Sequence, residues 1–103
     1  MKVFNSSDVP NINGTYKVGS LSGVRYNDLV SVLGVPTFDE ASGDDKVQKE
    51  WVIEYNGEIF TVYDWKTFDE EYTMNELDVW SIGGKSNCDD LVDFLRAILQ
   101  STI

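Results

Sequence analysis

A chain of 103 residues with eighteen acidic side chains, eight basic ones and no histidine carries a formal charge of -10, which repels nucleic acid and anionic membranes and attracts cationic protein surfaces. The missing histidine removes the commonest general acid/base and the commonest neutral metal ligand, so composition argues for a binding protein over an enzyme. At 42% hydrophobic and 13% aromatic residues the chain can bury one core as a single domain over 1–103, while the lone cysteine, Cys88, excludes an intrachain disulfide and a thiolate metal cage and fits a reducing cytosol.

Residues 1–13 read as a loose N-terminal arm, punctuated by Pro10 and Asn13-Gly14, with one short edge strand at Lys2–Asn5. No signal peptide or membrane span is expected, because no apolar run is long enough. Thr15–Leu21 alternates weakly and predicts a strand. Tyr26–Leu33 predicts a helix: Leu29, Val30, Val32 and Leu33 form its apolar stripe, Asn27 or Asp28 serves its first turn, and Gly34 followed by Pro36 ends it. Phe38–Asp45, with four acids (Asp39, Glu40, Asp44 and Asp45), reads as a solvated loop.

The strongest local signal is Asn56-Gly57 between Val47–Tyr55 and Glu58–Trp65. It predicts a β-hairpin on a two-residue type I′ turn, which sets the register. Tyr55 then faces Glu58, Ile53 faces Phe60, Trp51 faces Val62 and Lys49 faces Asp64 on the core side. Glu54 with Ile59, Val52 with Thr61, Glu50 with Tyr63 and Gln48 with Trp65 occupy the other side. Thr67–Asp78 reads as an acidic excursion, and Val79–Ile82 as a third strand with Trp80 and Ile82 on one face. Gly83-Gly84-Lys85-Ser86 reads as a turn. A last helix, about 88–100, is capped by Ser86 or Asn87, with Leu91, Phe94, Leu95, Ile98 and Leu99 inward. The fold class is α+β: an antiparallel sheet of three to five strands with two helices, about 26–33 and 88–100, on one face.

No catalytic residue, metal or cofactor is expected. Asp44-Asp45 and Glu70-Glu71 lack the spacing of a calcium loop. Gly83-Gly84-Lys85-Ser86 before a helix suits an anion, but Val79 stands where a P-loop needs its first glycine, and Asp89 and Asp90 oppose phosphate. Cys88 reads as inert between a helix start and those two acids. Tyr63 and Trp65 fall on the second face of the hairpin, where they are core if that face is covered and a wet aromatic patch if it is open.

The strings Glu50-Trp51, Thr61-Val62-Tyr63-Asp64-Trp65-Lys66 and Trp80-Ser81-Ile82-Gly83-Gly84-Lys85-Ser86 follow Tyr26, Asp28-Leu29-Val30, Gly34, Pro36 and Asp45-Lys46-Val47. Together they resemble the pattern of a family of small tailed-phage proteins of unassigned function. The resemblance covers about residues 14–92 and leaves out the N-terminal arm and the acidic stretch 68–76. It implies a non-enzymatic phage accessory protein, acting against host defence in the bacterial cytoplasm.

Two mechanisms fit that implication. An anti-CRISPR-like inhibitor, or DNA mimic, lays Asp39, Glu40, Asp44, Asp45, Asp69, Glu70 and Glu71 against a basic groove of a host defence protein, with Phe68, Tyr72, Tyr63 and Trp65 as anchors. A nucleotide sponge instead stacks a cyclic or ADP-ribose-type immune signal on Trp65, Tyr63 and Trp80 and holds its phosphates with Lys66, Lys85, Ser86 and the amides of Gly83 and Gly84. The charge favours the inhibitor and the shared motif favours the sponge. A structural or regulatory phage protein is the third reading. No direct contact with nucleic acid or membrane is expected, and self-association stays open.

Overall fold

In the computed structural model of the protein, which describes residues 1–40 and 46–101, Asn56 and Gly57 both take positive φ, 52° and 79°. That is the backbone a type I′ turn requires, and it matches the twist of the strands it joins. Around it the chain forms, in order, β1 (Lys2–Val3), β2 (Tyr16–Ser22), α1 (Tyr26–Leu33), β3 (Glu50–Tyr55), β4 (Glu58–Tyr63), α2 (Glu70–Asn75), β5 (Val79–Gly84) and α3 (Asp89–Ser101). The strands make one antiparallel sheet in the order β1-β3-β4-β5-β2. The α+β class with helices packed on the sheet is as expected.

The hairpin register is the one the turn dictates. Trp51 pairs with Val62, Ile53 with Phe60, Val52 with Thr61 and Glu50 with Tyr63. Trp51, Ile53, Phe60, Val62, Trp80 and Ile82 therefore share one face with Leu21, all at most 2% exposed. Leu29 and Leu33 of α1 and Leu91 and Leu95 of α3 close over them. Two indole N–H groups inside this layer find carbonyls: Trp51 donates to Gly34 at 3.0 Å and Trp80 to Val24 at 2.9 Å. The rings themselves meet edge to face, 5.6 Å apart.

Helix ends follow the side chains that serve them. The Asp28 carboxylate accepts from the Arg25 amide at 3.0 Å and starts α1. Asn87 accepts from the Asp89 amide at 2.7 Å and starts α3. Buried Cys88 sits between them, its thiol pushed up by burial and by Asp89.

Four expectations are corrected. The acidic excursion contains a third helix, α2. Its start is made by Asp69, whose Oδ1 accepts from the amides of Glu71 at 3.0 Å and Tyr72 at 3.4 Å. The turn expected at Gly83-Gly84 is strand, because both glycines belong to β5, and Gly83 pairs with Thr61. The Lys49–Asp64 and Gln48–Trp65 pairs do not continue the ladder: the Asp64 carboxylate takes the amides of Gln48 and Lys49 instead, so β3 starts at Glu50. The short edge strand at the N-terminus is Lys2–Val3 alone; Phe4 follows it, buried, its amide 2.9 Å from the Val52 carbonyl.

Candidate partner-binding surface

At the end of the hairpin opposite its turn, β4 leads into Asp64-Trp65-Lys66-Thr67-Phe68-Asp69 and then α2. Asp64 is fully buried. Its Oδ1 accepts from the amides of Gln48 at 2.8 Å and Lys49 at 2.9 Å, and its Oδ2 from the hydroxyls of Thr67 at 2.6 Å and Thr73 at 2.8 Å. Four donors occupy the acceptor sites of one carboxylate, which is what makes its burial tolerable. The turn it anchors is contorted: Lys66 and Phe68 are left-handed, with φ of 57° and 56°, a conformation that costs a side-chain-bearing residue about 1–2 kcal/mol.

This turn and α2 together carry three aromatic rings into solvent. Trp65 is 50% exposed, Phe68 58% and Tyr72 45%. Half-buried Tyr63 meets Trp65 edge to face at 6.2 Å. The ammonium groups of Lys46 and Lys66 lie 5.8 and 5.6 Å from the Trp65 ring centroid, within cation–π range. A shallow cleft of about 470 Å³ is lined by Trp65, Lys66, Thr67, Asp69, Tyr72 and Leu77.

Carboxylates flank the rings because Lys49 gathers them. Its side chain is 4% exposed, and its ammonium lies 2.6 Å from the Asp39 carboxylate, 2.9 Å from the Asp39 carbonyl and 3.7 Å from Glu70. The loop bearing Asp39 and Glu40 is thereby fastened against α2, which carries Glu70 and Glu71 behind its cap Asp69. Asp39, Asp69, Glu70, Glu71, Phe68, Tyr72 and Trp65 thus share one end of the molecule, and Glu40, next to Asp39, is exposed beside them. Asp44 and Asp45 lie outside the described residues. Glu50, across the ladder from Tyr63, is half-buried on the second face. Burial first, and the charge of Asp64 second, raise its carboxyl above the ordinary value, and burial with Glu50 raises the Tyr63 hydroxyl.

The residues named for nucleotide capture are dispersed. Trp80 is fully buried in the core layer, on the sheet face opposite Tyr63. Gly83 and Gly84 are buried within β5. Lys85 and Ser86 line a small hollow beside the hairpin turn, where the Ser86 hydroxyl donates to Glu58 at 2.6 Å. Trp65 and Lys66 lie beyond the far end of β4, a strand length of roughly 20 Å away at about 3.3 Å per residue. Among the described residues no three or more histidine, cysteine or carboxylate side chains converge as a metal site, and no helix is long and apolar enough to cross a membrane.

Sequence reasoning missed the residues that build the surface: Asp64, Lys49, Thr67 and Thr73. A signal was present, since the hairpin register placed Lys49 and Asp64 on the core face, where a charge needs partners.

Comparison of the chain with protein-family models, curated proteins and solved structures returned no match.

Proposed function

We propose that the protein is a non-enzymatic binding protein whose acidic, aromatic end docks into a basic groove of another protein. The observation that carries this reading is the gathering of Trp65, Phe68 and Tyr72, each about half exposed, beside Asp39, Asp69, Glu70 and Glu71 on a surface fastened from beneath by Lys49 and Asp64. Exposed aromatics on a rigid support are the usual energetic anchors of an interface, and surrounding charge governs encounter rate and choice of partner. The tailed-phage resemblance supplies the setting: a counter-defence inhibitor of a host immune protein in the bacterial cytoplasm, with the carboxylates standing in for nucleic-acid phosphates.

A second reading, nucleotide capture, draws support from the two lysine ammoniums over Trp65. It loses Trp80 and the glycine amides as contacts, and the net charge of -10 opposes it.

One experiment separates the two. The purified protein is used as bait in host lysate at low and at high salt, and the same preparation is heated and its supernatant assayed for nucleotide. A protein partner retained at low salt and released at high salt supports docking. Released nucleotide with no protein partner overturns docking in favour of capture.

A further inference from the structure

We propose that Asp64 is the positioning residue of the docking surface: it builds the surface from beneath and touches no partner itself. This inference rests on the docking reading for its purpose, though not for its geometry. Three chain segments converge on the one buried carboxylate: the approach to β3 through the amides of Gln48 and Lys49, the aromatic turn through Thr67, and α2 through Thr73. The two threonine hydroxyls also lie 2.8 Å from each other. The Lys66 amide adds a bond to the Lys46 carbonyl at 2.7 Å, tying the same turn to the same approach.

Local propensity does not account for the shape these segments hold. Helix α2 spans six residues, Glu70–Asn75, far below the length at which a helix persists alone. Thr73 is the only fully buried residue on it. The turn before it spends two left-handed residues, Lys66 and Phe68. Lys49 reaches Glu70 at 3.7 Å and Arg25 donates to the Asn75 carbonyl at 2.8 Å. Among the described residues, however, the Asp64 network is the one support that joins α2 to both the aromatic turn and the approach to β3, and so sets how Trp65, Phe68 and Tyr72 face outward. Tyr72 is the immediate neighbour of Thr73, so the anchor that buries one residue presents the next.

Thr73→Val and Thr73→Ser test this without removing the charge. Asp64→Ala tests the whole network, and the threonine pair carries the decision if that variant does not fold. The readouts are amide hydrogen exchange and the three indole N–H resonances. In Thr73→Val, the amides of Thr73, Glu76 and Leu77 should exchange about tenfold faster or more, the change expected for losing one buried hydrogen bond, and the Trp65 indole signal should move. The Trp51 and Trp80 indoles and the amides of β3, β4 and β5 should stay as in the wild type. Thr73→Ser, which keeps the hydroxyl, should restore α2. Unchanged α2 exchange in Thr73→Val, failure of Thr73→Ser to restore it, or loss spread evenly through the sheet would each overturn the proposal. None of these readouts needs a partner. A variant that loses α2 order yet keeps the salt-sensitive partner would sink the docking reading and leave the positioning role intact.

Discussion

The ammonium of Lys49 lies 2.6 Å from the Asp39 carboxylate, with the lysine side chain 4% exposed and the aspartate 51% exposed. The pair is asymmetric, because only the cation has left water. Removing each partner should therefore have unequal effects. Asp39→Ala leaves a buried ammonium with one carbonyl and the more distant Glu70, and should destabilise by about 1–3 kcal/mol. Lys49→Met keeps the volume and removes the charge, and should cost less. Urea titrations of the two variants give the order, and a larger loss for Lys49→Met would contradict it. Burial pushes the Lys49 pKa down, but the hydrogen bond and charge of Asp39, with Glu70 and Tyr26, raise it above 10.5 overall. A raised folded pKa means this contribution is complete below the ordinary lysine range and is lost as pH climbs through the folded value. The gap between wild type and Lys49→Met should shrink only in that alkaline window.

Gly84 is needed for space. A β-carbon there would sit 2.8 and 3.1 Å from two ring carbons of Phe60, a side chain 2% exposed in the core. The ring has no room to retreat, so Gly84→Ala should destabilise by about 1–3 kcal/mol through overpacking. Thermal unfolding measures it. A neutral Gly84→Ala would mean that the Phe60 ring moves aside and that space is not what requires glycine there.

The hairpin, α1 and α3 were legible because each was specified locally: a type I′ dipeptide, or an apolar stripe behind a capping acceptor, closed in α1 by Gly34 and Pro36. Helix α2 was not, because Asp69-Glu70-Glu71 looks like solvated charge and no apolar stripe follows. Its only local cue was Asp69 as an N-cap ahead of two acids. Glycine propensity ended β5 two residues early, whereas pairing with β2 and β4 keeps Gly83 and Gly84 in the ladder, and Thr61 at one and Phe60 at the other leave no room for a side chain. The surface itself was partly readable: the aromatic and acidic residues were named, but the buried Asp64 that assembles them looked like an ordinary cross-strand partner. A carboxylate with four donors from three segments is a tertiary fact that no window of sequence displays.

Glu50 should be a liability to the fold at neutral pH. Its folded pKa stands above the ordinary 4.5, first through burial and then through Asp64. The folded state thus holds that proton more tightly than the unfolded chain. Folding gains from it below the ordinary value, and the gain disappears as pH rises through the folded value. Glu50→Gln, which mimics the protonated form, should raise stability at pH 7 by about 0.5–1 kcal/mol and should match wild type at pH 4 or lower. Stability curves for the two proteins between pH 3 and pH 8 check this. A difference that is constant across the range would remove titration of Glu50 as its cause.

The docking surface makes separable predictions for its rings and its charges. Tyr72 and Trp65 are about half exposed, so Trp65→Ala and Tyr72→Ala should leave stability within about 1 kcal/mol. Loss of a well-packed anchor should weaken capture of the partner by 2 kcal/mol or more, roughly thirtyfold, mainly through faster dissociation. Glu40 and Glu71 are exposed, so Glu40→Gln with Glu71→Gln should act on the other rate. Association should slow several-fold at low salt, dissociation should stay unchanged, and the difference from wild type should fade as salt screens both proteins. Surface plasmon resonance with the partner recovered at low salt distinguishes the two effects. If the charge variant dissociates faster and associates normally, Glu40 and Glu71 are contact residues inside the interface and long-range steering is not their role.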